Sequence, residues 1–309
     1  MDNNAQVISR LYQGDEDFKR VRQLLVETYS NTPVGFNWEV RRWDGWRYYD
    51  KESEWDSARN KTVHLWENDK GRLVGVVHQE GAGFIHIQID PDYRFIEESM
   101  ITWAEMNLAV VNKNKRRQIS FFVHGDDSYR GKLLEKLGYQ NTGENDLTRR
   151  LRFKDVDIPS PNIADGYTMR TIHPDAIDDS RRIAELLNKA FNRNFHTAEE
   201  YYNFARYAPC YREGLDRAAV TLDGSFAAYV GVPYNDNNNY GVIEPVCTHP
   251  EHQREGLARS LILAALHQLK RVGATEVLVG TGEGMAANRL YESIGFAEVC
   301  KSSRWGKYF

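Results

Sequence analysis

Apolar positions along this 309-residue chain recur with two periods. Alternation or a short unbroken apolar run reads as a strand; recurrence every three and four residues reads as a helix. Val7–Tyr12 reads as a first strand, and Phe18–Tyr29 as a helix with Val21, Leu24, Leu25 and Tyr29 on one face. Phe36–Tyr49 interleaves Trp38, Trp43 and Trp46 with Arg41, Arg42 and Arg47. It reads as a packed amphipathic helix whose Arg stems lie over aromatics, the alternative being a binding lip. Lys61–Glu67, Arg72–Gln79 and Phe84–Asp90 read as three strands, with turns at 68–71 and 81–83. A helix (Phe95–Val110), a strand (Gln118–Val123), a helix (Tyr129–Leu137) and a strand pair ending near Phe153 complete the first half.

Asp155–Ala164, with Pro159, Ser160 and Pro161, reads as a linker. The expected division is therefore 1–154, a linker at 155–164, and 165–309. After the linker the same order returns. Tyr167–Thr171 is a strand, and Ser180–Phe191 a helix with Ile183, Leu186, Leu187 and Ala190 on one face. Thr197–Tyr207 is a second helix, opened by Thr197 with Glu200 three residues on. Three strands follow (Ala218–Leu222, Phe226–Val232, Tyr240–Thr248), then helix Leu257–Arg271, strand Glu276–Val279, helix Ala286–Ser293 and a last strand or strand pair over Ala297–Tyr308. The halves superpose as sequences. Asp90-Pro91-Asp92 answers His249-Pro250-Glu251, Leu137-Gly138-Tyr139 answers Ile294-Gly295-Phe296, and Leu24-Leu25 answers Leu186-Leu187.

Composition narrows the function classes. The net charge is −4, and neither half is basic, which argues against nucleic acid or an anionic membrane as partner. No apolar run reaches membrane-spanning length, and the N-terminus carries no basic or apolar signal region. Three scattered cysteines argue for a reducing compartment, taken as cytoplasmic, and against a disulfide framework or thiolate metal site. His249, His252 and His267 form no ligand spacing, so no metal is expected.

The chemistry gathers at Pro250–Arg259. A strand runs into a small-residue loop and then a helix start, where backbone N–H groups lack intrahelical partners and the helix dipole favours an anion. The spacing Gln253-x-x-Gly256-x-Ala258 resembles the pyrophosphate loop of the GCN5-related N-acetyltransferases, the GNAT family. Ala287–Phe296 matches the family's Tyr-x-x-x-Gly-Phe helix end, with Tyr291 as the Tyr. The whole element order is also the GNAT order, twice. The resemblance implies an α/β protein of two tandem GNAT domains. Each would hold a central mixed, mostly antiparallel sheet with splayed parallel strands 4 and 5, flanked by helices.

The resemblance further implies an N-acetyltransferase that moves acetyl from acetyl-CoA to a primary amine, that of a small molecule, by direct attack. Protein or peptide acetylation and a non-catalytic acyl-CoA-binding regulator are the alternatives. The protein would be a monomer or homodimer, with no metal. Cofactor-binding positions would be Val246, Cys247 and Thr248 on the incoming strand; Gln253, Arg254, Glu255, Gly256, Leu257, Ala258 and Arg259 in the loop; and Asn288. The family's Asn near the start of the last helix falls here on Gly284. Tyr291 would protonate the departing thiolate. Glu244, on the strand entering the loop and followed by Pro245, is the candidate general base; solvation or pairing with an Arg is the plainer reading. Cys247 reads as a core residue. The acceptor would lie against Phe191–Tyr211 and Ser302–Phe309, rich in aromatics.

In the first half the same positions carry other chemistry. Glu97 stands where Gly256 does, with Glu98 beside it and Ser99 at the place of Ala258. Leu134 stands at Tyr291 and Ile85 at Glu244. Carboxylates facing a pyrophosphate would repel it, so residues 1–154 read as a degenerate domain that supports the second.

Overall fold

The structure, a computed structural model, describes residues 6–49 and 61–309. The first five residues, on which the reading of the N-terminus rests, lie outside them. In chain order the elements are β1 (Val7–Leu11), α1 (Asp15–Tyr29), α2 (Val40–Tyr48), β2 (Val63–Asn68), β3 (Leu73–Gln79), β4 (Phe84–Ile89), α3 (Glu97–Leu108), β5 (Val110–Val111), β6 (Arg117–His124), α4 (Ser128–Lys136) and β7 (Gln140–Arg152). There follow β8 (Tyr167–Thr171), α5 (Ile177–Ala190), α6 (Ala198–Tyr207), β9 (Arg217–Thr221), β10 (Phe226–Val230), β11 (Tyr234–Asn235), β12 (Tyr240–Val242), β13 (Val246–Thr248), α7 (Leu257–Arg271), β14 (Glu276–Gly282), α8 (Ala287–Ile294) and β15 (Ala297–Tyr308).

Contacts divide the described residues into two compact units. Residues 6–40, 61–147 and 300–309 form one; 41–49 and 148–299 form the other. Compared with the boundaries expected from the Pro-rich linker, most of α2 and the end of β15 group with the opposite unit.

In the first unit β1, β2, β3 and β4 run antiparallel in that order. β4 then pairs with β6 in parallel over only two positions, Phe84↔Ser120 and Ile85↔Phe121. α3 covers this sheet with Met100, Ile101 and Ala104, all fully buried. Ile85 and Leu134 are core residues with no exposed surface. Glu97, expected to face a phosphate site, is turned inward instead. Its carboxylate is fully buried between Arg94 Nε (2.5 Å) and Arg130 Nε (2.8 Å), and Arg94 also binds Asp127. A buried carboxylate needs such partners, because removal from water without them is far costlier than the pairing returns. The position corresponding to Gly256 is thus closed by an internal ion network. Glu98 is exposed and reaches Lys136.

In the second unit β8, β9, β10 and β13 form an antiparallel sheet. β11 and β12 pair antiparallel, and β12 pairs with β14 in parallel at Tyr240↔Glu276 through Val242↔Leu278. α7 buries Leu257, Leu261, Ile262, Leu266 and Leu269 in the core with Val277 and Val279. Thr197 and Glu200 make the expected reciprocal cap of α6.

The stretch Tyr240–Thr248, read as one strand, is two. The ladder stops at Ile243, Glu244 and Pro245, where Pro245 has no N–H to donate. Gly231 wraps the break: its N–H donates to Pro245 O (2.9 Å), and its O accepts from Glu244 N (2.9 Å). A Cβ at Gly231 would stand 2.7 Å from Glu244 O, so only glycine allows this approach. β12 stays beside β14 while β13 leaves for β10, so the two parallel strands diverge as the fold class requires. Elsewhere the expected strand pair near Phe153 is one long strand, β7. The end of the helix placed at Phe95–Val110 contributes the short β5.

Asp216 makes a stability prediction. It is fully enclosed, accepts from Tyr229 Oη (2.5 Å) and Val232 N (2.8 Å), and burial raises its carboxyl to about 6 against these hydrogen bonds. The folded state therefore holds this proton more tightly than the unfolded chain. The stability tied to it is full below the unfolded value of 3.8 and lost as pH rises through 6. The loss is about 3 kcal/mol by linkage. Asp216→Asn can accept from Val232 and donate to Tyr229. Thermal unfolding should show it stabilised at pH 8, with the gain vanishing near pH 4; a pH-independent difference would exclude a buried ionisation.

Candidate functional site

Three parts of the second unit converge where β12 breaks from β13. The first is the loop into α7. After a short 3-10 turn at Pro250–His252, the chain takes left-handed angles at Arg254 (φ 68°) and Gly256 (φ 72°), and α7 begins with no side-chain cap. Among the described residues no protein acceptor takes the amide N–H groups of residues 253–259. Uncapped donors at a helix start, with the dipole behind them, fit a polyanion such as a pyrophosphate. Gln253, Arg254, Glu255 and Gly256 are exposed, Ala258 and Arg259 half-buried, and Leu257 is anchored in the core. Arg254 and Arg259 have no acidic partner among the described residues and remain able to meet an anion. Ser260 fixes the helix start by donating to Asn162 O.

The second part is β13. It lies at the edge of its sheet, paired with β10 only, so its other edge faces the divergence from β14. Such an edge offers backbone groups to an extended ligand arm. Val246 lines the opening, and Thr248 is half-buried. Cys247 points into the core, where burial pushes its thiol up to about 12 and leaves it unreactive at neutral pH.

The third part is a cavity of about 510 Å³. Ile243, Glu244, Pro245 and Val246 line it from the break; Gly280, Thr281, Met285, Ala287 and Tyr291 from β14 and α8. Leu187, Phe191, Phe195 and Tyr201 line it from α5, α6 and their connection, and Arg41 and Tyr49 from α2 and its end. Glu244 and Tyr291 therefore share one cavity. The Glu244 side chain is 45% exposed and pairs with Arg41 (Oε1 to Nη1, 3.2 Å), so both plainer readings of this Glu hold alongside its place in the cavity. Tyr291 is buried, and burial first, then the Glu244 charge, pushes its phenol up to about 12. It stays protonated throughout the neutral range, and its hydroxyl bonds to no protein group among the described residues.

Asn288 does not line the cavity. Its amide accepts from Arg149 Nε (3.0 Å) and donates to Gly282 O and Met285 O (3.1 Å each), holding the β14–α8 turn. Of the two stretches expected around the acceptor, Phe191–Tyr211 contributes Phe191, Arg193, Phe195, His196, Glu200 and Tyr201. Arg304, Gly306, Lys307 and Tyr308 instead line a separate cavity of about 340 Å³ in the first unit. Trp38 and Trp43 are buried, as the packed-helix reading of Phe36–Tyr49 has it, yet Arg41 and Tyr49 of that stretch reach the site. Among the described residues no three His, Cys, Asp or Glu are placed to hold a metal ion, and no helix is long and apolar enough to cross a membrane.

A divergent pair of parallel strands, with a helix N-terminal loop beside it, defines the GNAT class of fold. Residues 180–296 match the model of the acetyltransferase (GNAT) family. A mycothiol acetyltransferase of Thermobispora bispora is 26% identical over 197 residues, covering 61% of this chain and 65% of that one. The chain thus spans just under two thirds of that relative's length. A tandem GNAT protein from the clavulanic acid biosynthesis pathway shares the fold with a TM-score of 0.68 at 17% identity, covering 99% of this chain and 98% of that one. A GCN5-related N-acetyltransferase from Sphaerobacter thermophilus does so at 0.64 and 18%, covering 98% and 95%. Residues 180–296 thus match the GNAT family, and the chain as a whole shares the fold of tandem GNAT proteins and is similar in sequence to the mycothiol acetyltransferases.

Proposed function

We propose that the second unit transfers an acetyl group from acetyl-CoA to the primary amine of a small molecule by direct attack. The observation that carries this reading is the single cavity that holds Glu244 and Tyr291 where β13 parts from β14, β13 being the strand that runs on into the uncapped amides of residues 253–259. The names of the curated relatives, mycothiol acetyltransferases, support a small-molecule acceptor.

Acetyl-CoA supplies the activated acyl group and leaves as a thiol. The loop amides, with Arg254 and Arg259, hold the diphosphate. The free edge of β13 aligns the pantetheine arm. Glu244 takes a proton from the incoming ammonium, directly or through water, and gives the neutral amine needed for attack. Tyr291 donates its O–H to the departing sulfur, a contact worth most as negative charge develops there. The first unit holds no acetyl-CoA on this reading, because Glu97, Arg94 and Arg130 fill the corresponding loop position.

Removing the hydroxyl tests the role of Tyr291. Tyr291→Phe keeps the ring that packs against Phe296. Turnover should fall roughly 10- to 100-fold while acetyl-CoA affinity changes little, since the hydrogen bond is needed only as the thiolate forms. Unchanged single-turnover rates would return Tyr291 to a packing role.

A further inference from the structure

The acceptor site carries a charge arrangement that the general activity does not require. Arg41 and Glu244 stand side by side at 3.2 Å, both facing the cavity. The Arg41 side chain is only 13% exposed, so this cation is held at the wall and does not project into bulk water. Around the pair the wall carries Tyr49, Leu187, Phe191, Phe195 and Tyr201; of its other charged members, Arg193 lies over the Phe191 and Phe195 rings and Glu200 is engaged by His196 and the Thr197 N–H. Phe195 is 57% exposed and Phe191 43%, apolar surface that a ligand would cover.

We propose that Arg41 and Glu244 together recognise an amino acid, and that the acceptor is an α-amino acid with an apolar or aromatic side chain. This rests on the acetyltransferase reading above. An α-amino acid carries its ammonium and carboxylate on one carbon, as close to each other as the charges of the Arg41–Glu244 pair. Two adjacent opposite charges meet their complement in one orientation: carboxylate on Arg41, ammonium on Glu244. The guanidinium suits this task, because its planar donors can grip a carboxylate with two parallel hydrogen bonds. The orientation also places the amine on the residue proposed to deprotonate it. Binding exchanges one ion pair for two, so neither protein charge is left stranded in a partly enclosed site. The side chain of the amino acid then lies on Phe191, Phe195 and Tyr201. An amine without the carboxylate must compete with Arg41 for Glu244 and brings no anion to replace Glu244 on Arg41.

The test compares L-phenylalanine and L-leucine with the same molecules lacking the carboxyl group, phenethylamine and isopentylamine. Acetyl-CoA is the donor, and free thiol release is the signal. The amino acids should exceed the amines in kcat/KM by roughly 100-fold, the scale of a charge-assisted bidentate contact. Arg41→Gln should collapse that ratio toward unity, a change of preference that loss of packing would not produce. Acetyl-CoA affinity measured by calorimetry confirms that the variant is folded. Amines turned over as well as or better than amino acids would overturn the proposal and leave the acetyltransferase reading standing. Were no acceptor turned over, L-phenylalanine would be titrated into the protein saturated with CoA. Binding weakened by Arg41→Gln would support the amino-acid site, and absence of binding would overturn it. Failure of acetyl-CoA itself to bind would remove the parent reading instead.

Discussion

Glu244→Gln is expected to bind acetyl-CoA like the parent protein and to lose about 10- to 1000-fold in turnover near neutral pH, the scale for a lost general base or slightly below it. The substitution keeps the shape of the side chain and most of its hydrogen bonding. It removes the one carboxylate of the break between β12 and β13, which lines the same cavity as Tyr291. An alkyl ammonium with a pKa of about 10 must lose a proton before it can attack. At neutral pH the free-amine fraction is therefore small, and a base at the site recovers the difference. As pH rises toward the amine's own pKa the variant should regain part of its rate, since less help is needed there. Steady-state rates across pH, with both proteins saturated in acetyl-CoA, check this. A variant with the parent's rate and pH profile would exclude Glu244 as the base and leave the Arg41–Glu244 pair as a binding device alone.

Gly256→Glu should abolish acetyl-CoA binding, and for two separate reasons. Gly256 sits at φ 72°, where a side chain is strained, although nothing lies within 4 Å of the Cβ it would gain. A carboxylate there would meet a bound diphosphate. One unit-charge repulsion near a protein surface costs about 4 kcal/mol at contact distance, or about 1000-fold in affinity. The residue introduced is the one the first unit carries at the corresponding place, Glu97, where two arginines neutralise it. Arg254 and Arg259 stand in the same loop and helix start, and any pairing of theirs with the new carboxylate would take them from the diphosphate, so the substitution costs affinity by either route. Calorimetry of the variant against the parent measures the loss. Binding within a few-fold of the parent would show that the diphosphate lies elsewhere.

Much of this fold is legible in the sequence because its signals are local. The Gly256 loop, the Thr197–Glu200 cap and the apolar face of α7 each declare themselves within a few residues. Tyr291 is legible by its spacing to Gly295, which takes the left-handed C-cap of α8. Pro245 marks a break in a strand, but the partner that makes the break possible, Gly231, lies just past the end of β10. A glycine following an unbroken apolar run is the only local hint of it. Arg41 and Tyr49 were not legible as site residues. Nothing local separates them from the buried tryptophans they alternate with, and the contact with Glu244 spans some two hundred residues of chain. The inward turn of Glu97 was likewise hidden. It depends on Arg130 in a later helix, and sequence distance conceals the pairing of buried charges.

On the proposed function one of the two units works, through the cavity lined by Glu244 and Tyr291 and with the diphosphate on the loop at Gly256. Titrating acetyl-CoA into the full chain in a calorimeter tests it most directly. One site per chain is expected, absent from Gly256→Glu and retained in Glu244→Gln. Two equivalent sites, or a single site that survives Gly256→Glu, would contradict it.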